Sequence, residues 1–156
     1  MTKEKIDELI SISQEKAKLL EDMRQYAVAQ REYIEKEDMD GLNQILDDMD
    51  NLIKRIDKLD LSFINIFYQI KKEENVENID ELNVEQYPNL KELKEIVTEI
   101  SSTLMALSLL DKENNKNMKQ KLEATKMELK KVKDGQRAYK GYNQPLTGSM
   151  MIDEKK

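Results

Sequence analysis

Carboxylates are the most abundant chemically active side chains in this chain, because 32 of its 156 residues are Asp or Glu. Two carboxylates can act as general acid and general base in hydrolysis when the fold holds them at a set separation. The acidic residues here follow no fixed spacing, no His accompanies them and no Gly-rich segment suggests a pocket. The chain also contains no Cys, so it can form neither disulfides nor thiolate metal sites. We therefore expect a protein that is not an enzyme, uses no cofactor and holds no metal.

Basic residues are concentrated late in the chain, which raises the binding of polyanions as a second chemistry. Residues 1–111 contain 14 Lys or Arg and 26 Asp or Glu, a net charge of −12, whereas residues 112–140 contain 10 and 4, a net charge of +6. We expect no nucleic-acid partner, because four acidic residues interrupt the basic segment and Tyr139 and Tyr142 are the only nearby aromatic residues that could stack on bases. Solvated Lys-rich faces are common on exposed helices, so the charge alone does not identify a binding surface.

Apolar residues in the same basic segment recur at steps of three and four, which places them on one face of a helix. Such a face can bind the apolar face of a partner helix, and the surrounding lysines favour an acidic partner. Alternatively, the face could pair with its own copy, which would make the protein a structural coiled coil that forms a homodimer. The residues of the series are Met118, Leu122, Thr125, Leu129 and Val132.

Long helices must position this series, and the apolar periodicity predicts three of them. The first two cover about residues 2–36 and 40–72. Their connection is so short that they must form an antiparallel hairpin. Thr2 is the predicted N-cap of the first helix, and either Asp38 or Asp40 could cap the second.

The third predicted helix is the longest, covers about residues 88–138 and follows a crossing loop at 73–87. Pro88 can occupy its first turn, and Asn89 followed by Glu92 resembles a capping box. About fifty residues at ~1.5 Å each make a rod on the order of 70 Å, which is longer than the hairpin can cover. We therefore expect the end of this helix to lack a partner within the chain.

The predicted fold class is all-α. An elongated antiparallel helical hairpin and a third long helix form a three-helix coiled-coil bundle over residues 1–140. Residues 141–156 contain two glycines and a proline and are expected to be a flexible, disordered tail. The residues predicted to face the core of the second and third helices include Leu46, Ile53, Val97 and Leu104.

Two polar residues, Asp111 and Asn114, occupy places in the apolar series of the third helix. Buried polar groups can fix the register of packed helices. Here, however, the two residues belong to an uninterrupted polar run at 111–117, which is typical of a solvated surface. We therefore expect the packed part of the bundle to end near Leu110.

The sequence predicts a cytoplasmic protein without a membrane span. Its first residues lack the apolar core of a signal peptide. The longest uncharged runs, at 61–70 and 100–110, are shorter than the roughly 18 residues of a membrane-spanning helix.

The hairpin turn is similar to that of a known family. Residues 33–46 read Tyr-Ile-Glu-Lys-Glu-Asp-Met-Asp-Gly-Leu-Asn-Gln-Ile-Leu, an acidic turn followed by Leu, two polar residues and Ile-Leu. This pattern resembles the hairpin of FlgN-type flagellar export chaperones. Residues 110–116 resemble the Asn-containing break in the last helix of that family. The ending at 139–156 is similar to the tails of its Firmicute members. Residues 57–87 depart from the pattern and leave open the related FliT-type chaperones.

This resemblance implies a function and assigns roles to residues. Such chaperones hold late flagellar subunits, typically hook-filament junction proteins, in the cytoplasm by covering their terminal helices, and deliver them to the export gate. The FliT-type alternative implies the filament cap protein as the client. The family also implies an export-gate contact made by a C-terminal Tyr, for which Tyr139 and Tyr142 are the candidates. The series from Met118 to Val132 is then the predicted client-binding site.

Overall fold

The computed structural model of the protein describes the backbone of residues 1–143 and the side chains as far as Tyr139. The predicted tail therefore lies almost entirely outside the described residues. Helix α1 comprises Thr2–Lys36, α2 comprises Met39–Glu74 and α3 comprises Leu90–Asn143, with one short 3-10 turn at Ile79–Glu81. No strand occurs in this described part of the chain. The prediction of an all-α fold with three long helices is confirmed.

The described residues divide into two compact units. The first, Met1–Asn115, contains α1, α2 and the beginning of α3, and we call it the body. The second begins at Lys116, and its described part, residues 116–143, is called the distal segment below.

The core of the body consists of two apolar clusters, and each contains residues of all three helices. Because the first cluster joins the beginnings of α1 and α3 to the end of α2, α3 runs parallel to α1 and antiparallel to α2. The buried residues of the first cluster are Ile6, Leu9, Ile10, Ile70, Leu82, Leu90 and Leu93. Those of the second are Leu19, Leu20, Ala27, Leu52, Ile56, Ile100 and Leu107.

The turn between α1 and α2 is built from a left-handed residue and an N-cap. Glu37 ends α1 with φ 56°, and its N–H donates to the carbonyl of Ile34. Of the two predicted caps, Asp38 is the one used, since its Oδ1 accepts from the N–H of Gly41 at 3.0 Å. A Cβ at position 41 would lie 2.9 Å from Asp38 Oδ2 and closer still to the ring of Tyr33. Glycine therefore lets the Tyr33 ring pack against the start of α2.

The predicted N-cap at Thr2 is wrong, because Thr2 lies inside α1 and uses its hydroxyl elsewhere. Its Oγ1 is 2.8 Å from Glu74 Oε1 and 3.0 Å from Glu73 Oε2, at the end of α2. Lys5 also pairs with Glu73, and the Tyr87 hydroxyl donates to Glu74 Oε1 at 2.5 Å. The bonds from Lys5 and Thr2 lower the pKa of Glu73, and those from Tyr87 and Thr2 lower the pKa of Glu74. The Glu74 carboxylate in turn raises the pKa of Tyr87.

The predicted capping box at the start of α3 is also wrong. Pro88 precedes the helix, and Asn89 Oδ1 has no hydrogen-bond partner. The amide of Asn89 instead donates from Nδ2 to Asp7 Oδ1 at 2.8 Å and to the carbonyl of Lys3 at 3.1 Å. The side chain therefore fixes the start of α3 against α1, a contact that local sequence spacing cannot reveal.

The packed part of the bundle extends beyond Leu110, so the predicted end was one turn too early. Asn114 is only 1% exposed, whereas Asp111 is exposed. Asn114 Nδ2 donates to the carbonyl of Ala27 at 2.9 Å and lies 3.4 Å from Gln30 Oε1. Position 114 lies two helical turns beyond the buried Leu107, on the same face, so it reaches α1. The polar run hid this position because the residues around it are solvated.

Four residues predicted to face the core are instead partly exposed. Each lies next to a buried residue or one helical turn from one, so the three helices cover a narrower face than the apolar series suggested. Their exposed fractions are 43% for Leu46, 45% for Ile53, 38% for Val97 and 44% for Leu104.

Candidate functional site

The distal segment is part of an unbroken helix, since α3 continues to Asn143. Lys, Glu, Leu, Met and Ala, which favour helices, dominate its sequence, and Gly135 is the first glycine in α3. Thr125 fits the helix because its Oγ1 donates to the carbonyl of Lys121, one turn earlier, at 3.0 Å. The backbone that carries the predicted binding residues is therefore regular.

The predicted binding residues form one exposed face of this helix, which we call the distal stripe: Met118, Leu122, Thr125, Leu129 and Val132. Leu122 is 54% exposed, and Leu129 and Val132 are each 56% exposed. Large apolar side chains repeated on one exposed face are the usual feature of a helix that packs against a partner. Their role in binding stays a prediction, although the structure places all five together.

One flank of the distal stripe carries a row of lysines. Lys119, Lys126 and Lys133 are seven residues apart, so they lie along the same edge of the helix, about 100° from Met118. The opposite edge is mixed and includes Glu128. The total charge of this segment was predictable from its composition, whereas the one-sided distribution of the lysines was not predicted, although their repeat of seven residues indicates it.

The opposite face of the distal segment differs from the stripe. Met127 is 63% exposed and lies about 160° from Leu129 around the helix axis. It is an isolated apolar residue between Lys126 and Glu128. It therefore provides a matched control position on the same helix.

The two candidate gate tyrosines lie near the end of α3. Tyr139 is 71% exposed. Tyr142 belongs to the last turn of the helix, and its side chain lies outside the described residues. The structure therefore locates both on one helix and describes the surroundings of Tyr139 alone.

Residues 1–143 contain no group of three or more His, Cys, Asp or Glu side chains that could hold a metal ion. None of the helices in this part of the chain has an apolar stretch long enough to cross a membrane.

Comparison with known proteins matches the chain to a protein family. The family model described as FlgN protein matches residues 1–146, which include the body, the distal stripe and both tyrosines. No curated protein and no solved structure matches the chain.

Proposed function

Since the chain belongs to the FlgN family of flagellar export chaperones, we propose that its client is a late flagellar subunit of the hook-filament junction type. The distal stripe binds the apolar face of a terminal helix of this client. The family match favours this client over the filament cap protein that a FliT-type chaperone would hold. Binding in the cytoplasm keeps the client helix from aggregating, and the protein acts by binding alone, without catalysis.

The observation that carries this proposal is the exposed distal stripe. Burying a Leu side chain contributes about 1.5–3 kcal/mol, and more than half of the Leu122 and Leu129 surfaces is available for burial. Three or four such anchors suffice for roughly micromolar affinity after the cost of ordering the partner. The stripe can therefore hold a client reversibly, as a chaperone that must release its client requires.

The one-sided row of lysines predicts how the client helix is oriented. Lys119, Lys126 and Lys133 would face acidic residues along one edge of the client helix. Charge pairs at a solvent-exposed edge mainly raise the association rate and weaken as salt screens them. Client association should therefore slow with increasing salt, while the apolar contacts keep the complex together.

We further propose that Tyr139 and Tyr142 contact a component of the export gate. Exposed tyrosines near the end of a helix offer an apolar ring and a hydroxyl to a partner surface. Replacing each with Ala should leave client binding intact and weaken the gate contact. Loss of client binding in both variants would assign them to the client site instead.

Co-purification from the host tests the identity of the client. The tagged full chain should retain a late flagellar subunit, which mass spectrometry identifies. The double variant Leu122→Asp with Leu129→Asp should lose this subunit while the helical signal of the body persists. Capture of an unrelated protein by the wild type, or equal capture by the double variant, would contradict the proposal.

A matched pair of single variants separates the stripe from general effects of charge. Leu129→Asp and Met127→Asp add the same carboxylate two residues apart, on nearly opposite faces. Leu129→Asp should weaken binding of the purified client by about tenfold to a hundredfold, whereas Met127→Asp should change it little. Equal losses in both variants would show that the stripe is not the binding face.

A further inference from the structure

The body has an apolar surface of its own, between α2 and α3. Ile64 of α2 and Val97 of α3 line one cavity of about 300 Å³. The cavity is also lined by Ile12, Ser13 and Lys16 of α1, so α1 forms its floor. Ile64 is 63% exposed, which shows that the cavity opens to the surface. We call this surface the α2/α3 groove.

The groove continues along the bundle beyond this cavity. Because α2 and α3 are antiparallel, a step of seven residues forward from Val97 to Leu104 corresponds to seven residues back from Ile64 on α2. That position on α2 is Asp57, so Leu104 lies about one helical turn along the axis from Ile53, and both Leu104 and Ile53 are more than 40% exposed. The separation of Ile53 and Ile64 is three helical turns, which keeps them on one face. The groove thus has the length and the apolar spacing that a further helix needs.

The edge of the groove on α2 is acidic. Asp50 and Asp57 are exposed and seven residues apart, so they lie on the same edge beside Ile53, and Asp50 also pairs with Lys54 of the same helix at 3.3 Å. Asp60 lines the cavity itself and pairs with Lys16 at 2.7 Å. A helix that fills this groove should therefore carry apolar residues on one face and basic residues along one edge.

The distal segment has both features. Its stripe repeats at seven and eleven residues, from Met118 to Thr125 and to Leu129, which is the spacing found in the groove. Its row of lysines repeats at seven residues, as do the two aspartates that border the groove. A second copy of the chain therefore offers a helix that matches the groove in both apolar spacing and charge.

We propose that the α2/α3 groove of one copy binds the distal stripe of a second copy when no client is present. Lysines of the distal segment then face Asp50 and Asp57, and Ile53, Ile64, Val97 and Leu104 cover the stripe. This goes beyond the proposed function, because it concerns what protects the apolar stripe in the free chaperone. Client and second copy compete for the same stripe, so an added client dissociates the self-associated form.

Charge exchange between the two surfaces tests the proposal in the full-length protein. One variant carries Asp50→Lys with Asp57→Lys, and the other carries Lys126→Glu with Lys133→Glu. All four positions are exposed, so the helices should be retained, which circular dichroism verifies. Analytical ultracentrifugation over a range of concentrations then gives the self-association of wild type, of each variant and of their equimolar mixture.

The wild type should self-associate, and each variant alone should do so at least about tenfold more weakly, since like charges then face each other. The mixture should recover association, because the reversed edge of each variant matches the edge of the other. A monomeric wild type, unchanged association of the Asp50→Lys with Asp57→Lys variant, or a mixture without recovery would each overturn the proposal. Unchanged association of the Asp50→Lys with Asp57→Lys variant is the result expected if the distal stripe of one copy pairs with the distal stripe of another.

Binding of the purified client is measured on the same proteins to keep the two proposals separate. The Asp50→Lys with Asp57→Lys variant has an unchanged stripe and should bind the client at least as tightly as the wild type. If the wild type and the variants self-associate as expected but none of these proteins binds the client, the proposed function fails and the groove contact stands. If this variant binds the client and self-associates like the wild type, the groove contact fails and the proposed function stands.

Discussion

Gly41 and Gly135, which both lie inside helices, should respond in opposite ways to replacement by alanine. In an exposed helix interior this replacement stabilises the helix by about 0.5–1 kcal/mol, because alanine loses less backbone entropy on folding. A Cβ at position 135 would meet no atom within 4 Å. Gly135→Ala should therefore deliver the full gain and raise the helix content of the distal segment.

The same change at Gly41 meets a steric obstacle. The added Cβ would lie 2.9 Å from Asp38 Oδ2 and would overlap the ring of Tyr33. Overpacking typically costs about 1–3 kcal/mol, which exceeds the gain in helix propensity. We expect a net loss of about 0.5–2 kcal/mol in the free energy of unfolding for Gly41→Ala.

Urea denaturation followed by far-UV circular dichroism measures both effects. Replacing Tyr33 with Ala removes the ring atoms nearest to the added Cβ and supplies the internal control. In that background only the Asp38 carboxylate lies close to the added Cβ, so Gly41→Ala should destabilise the body much less than it does in the otherwise wild-type protein. If Gly41→Ala instead stabilises the otherwise wild-type protein, the Tyr33 ring does not need the space that glycine leaves, and the steric explanation is refuted.

Three further predictions concern the body. Asn114→Asp places a carboxylate against a carbonyl of α1 and should lower the free energy of unfolding by about 2–4 kcal/mol at neutral pH. Asn115→Asp, at an exposed position, should have little effect. Equal effects of the two substitutions would argue against burial of Asn114. Asp38→Ala removes the N-cap of α2 and should cost about 1 kcal/mol, more than Asp40→Ala, as measured by urea denaturation. Glu73 and Glu74, at the end of α2, have lowered pKa values in the folded protein. They therefore stabilise the fold above the ordinary carboxyl pKa of 4.5, and this stabilisation is lost as the pH falls through their folded pKa values. Tyr87→Phe should reduce this loss of stability in acid, and an unchanged pH profile of thermal unfolding would contradict the assignment.

The number and order of the helices could be predicted from the sequence because helix periodicity and turn residues act locally. The acidic turn also narrowed the cap of α2 to two aspartates, of which Asp38 is used. The errors concern contacts between residues far apart in the chain. Asn114 was predicted to be solvated, but it donates to the carbonyl of Ala27. Thr2 was predicted to be an N-cap, but its hydroxyl contacts Glu74 at the end of α2.

The candidate site was predictable in part for the same reason. A stripe such as Leu122 to Leu129 follows from spacing on one helix, which the sequence contains directly. The α2/α3 groove was missed because Ile53 and Leu104 belong to apolar series that looked entirely internal. Which side of a wide apolar face is covered depends on the arrangement of three helices, and spacing along one of them does not determine it.

Hydrogen exchange of the full chain with and without the purified client is the most direct test of the central claim, that the exposed face of the distal segment holds the client helix. We predict that amides from Met118 to Val132 exchange more slowly in the complex, because a bound helix suppresses local opening of α3 there. Unchanged exchange across these residues, with client-dependent protection confined to the body, would contradict the claim.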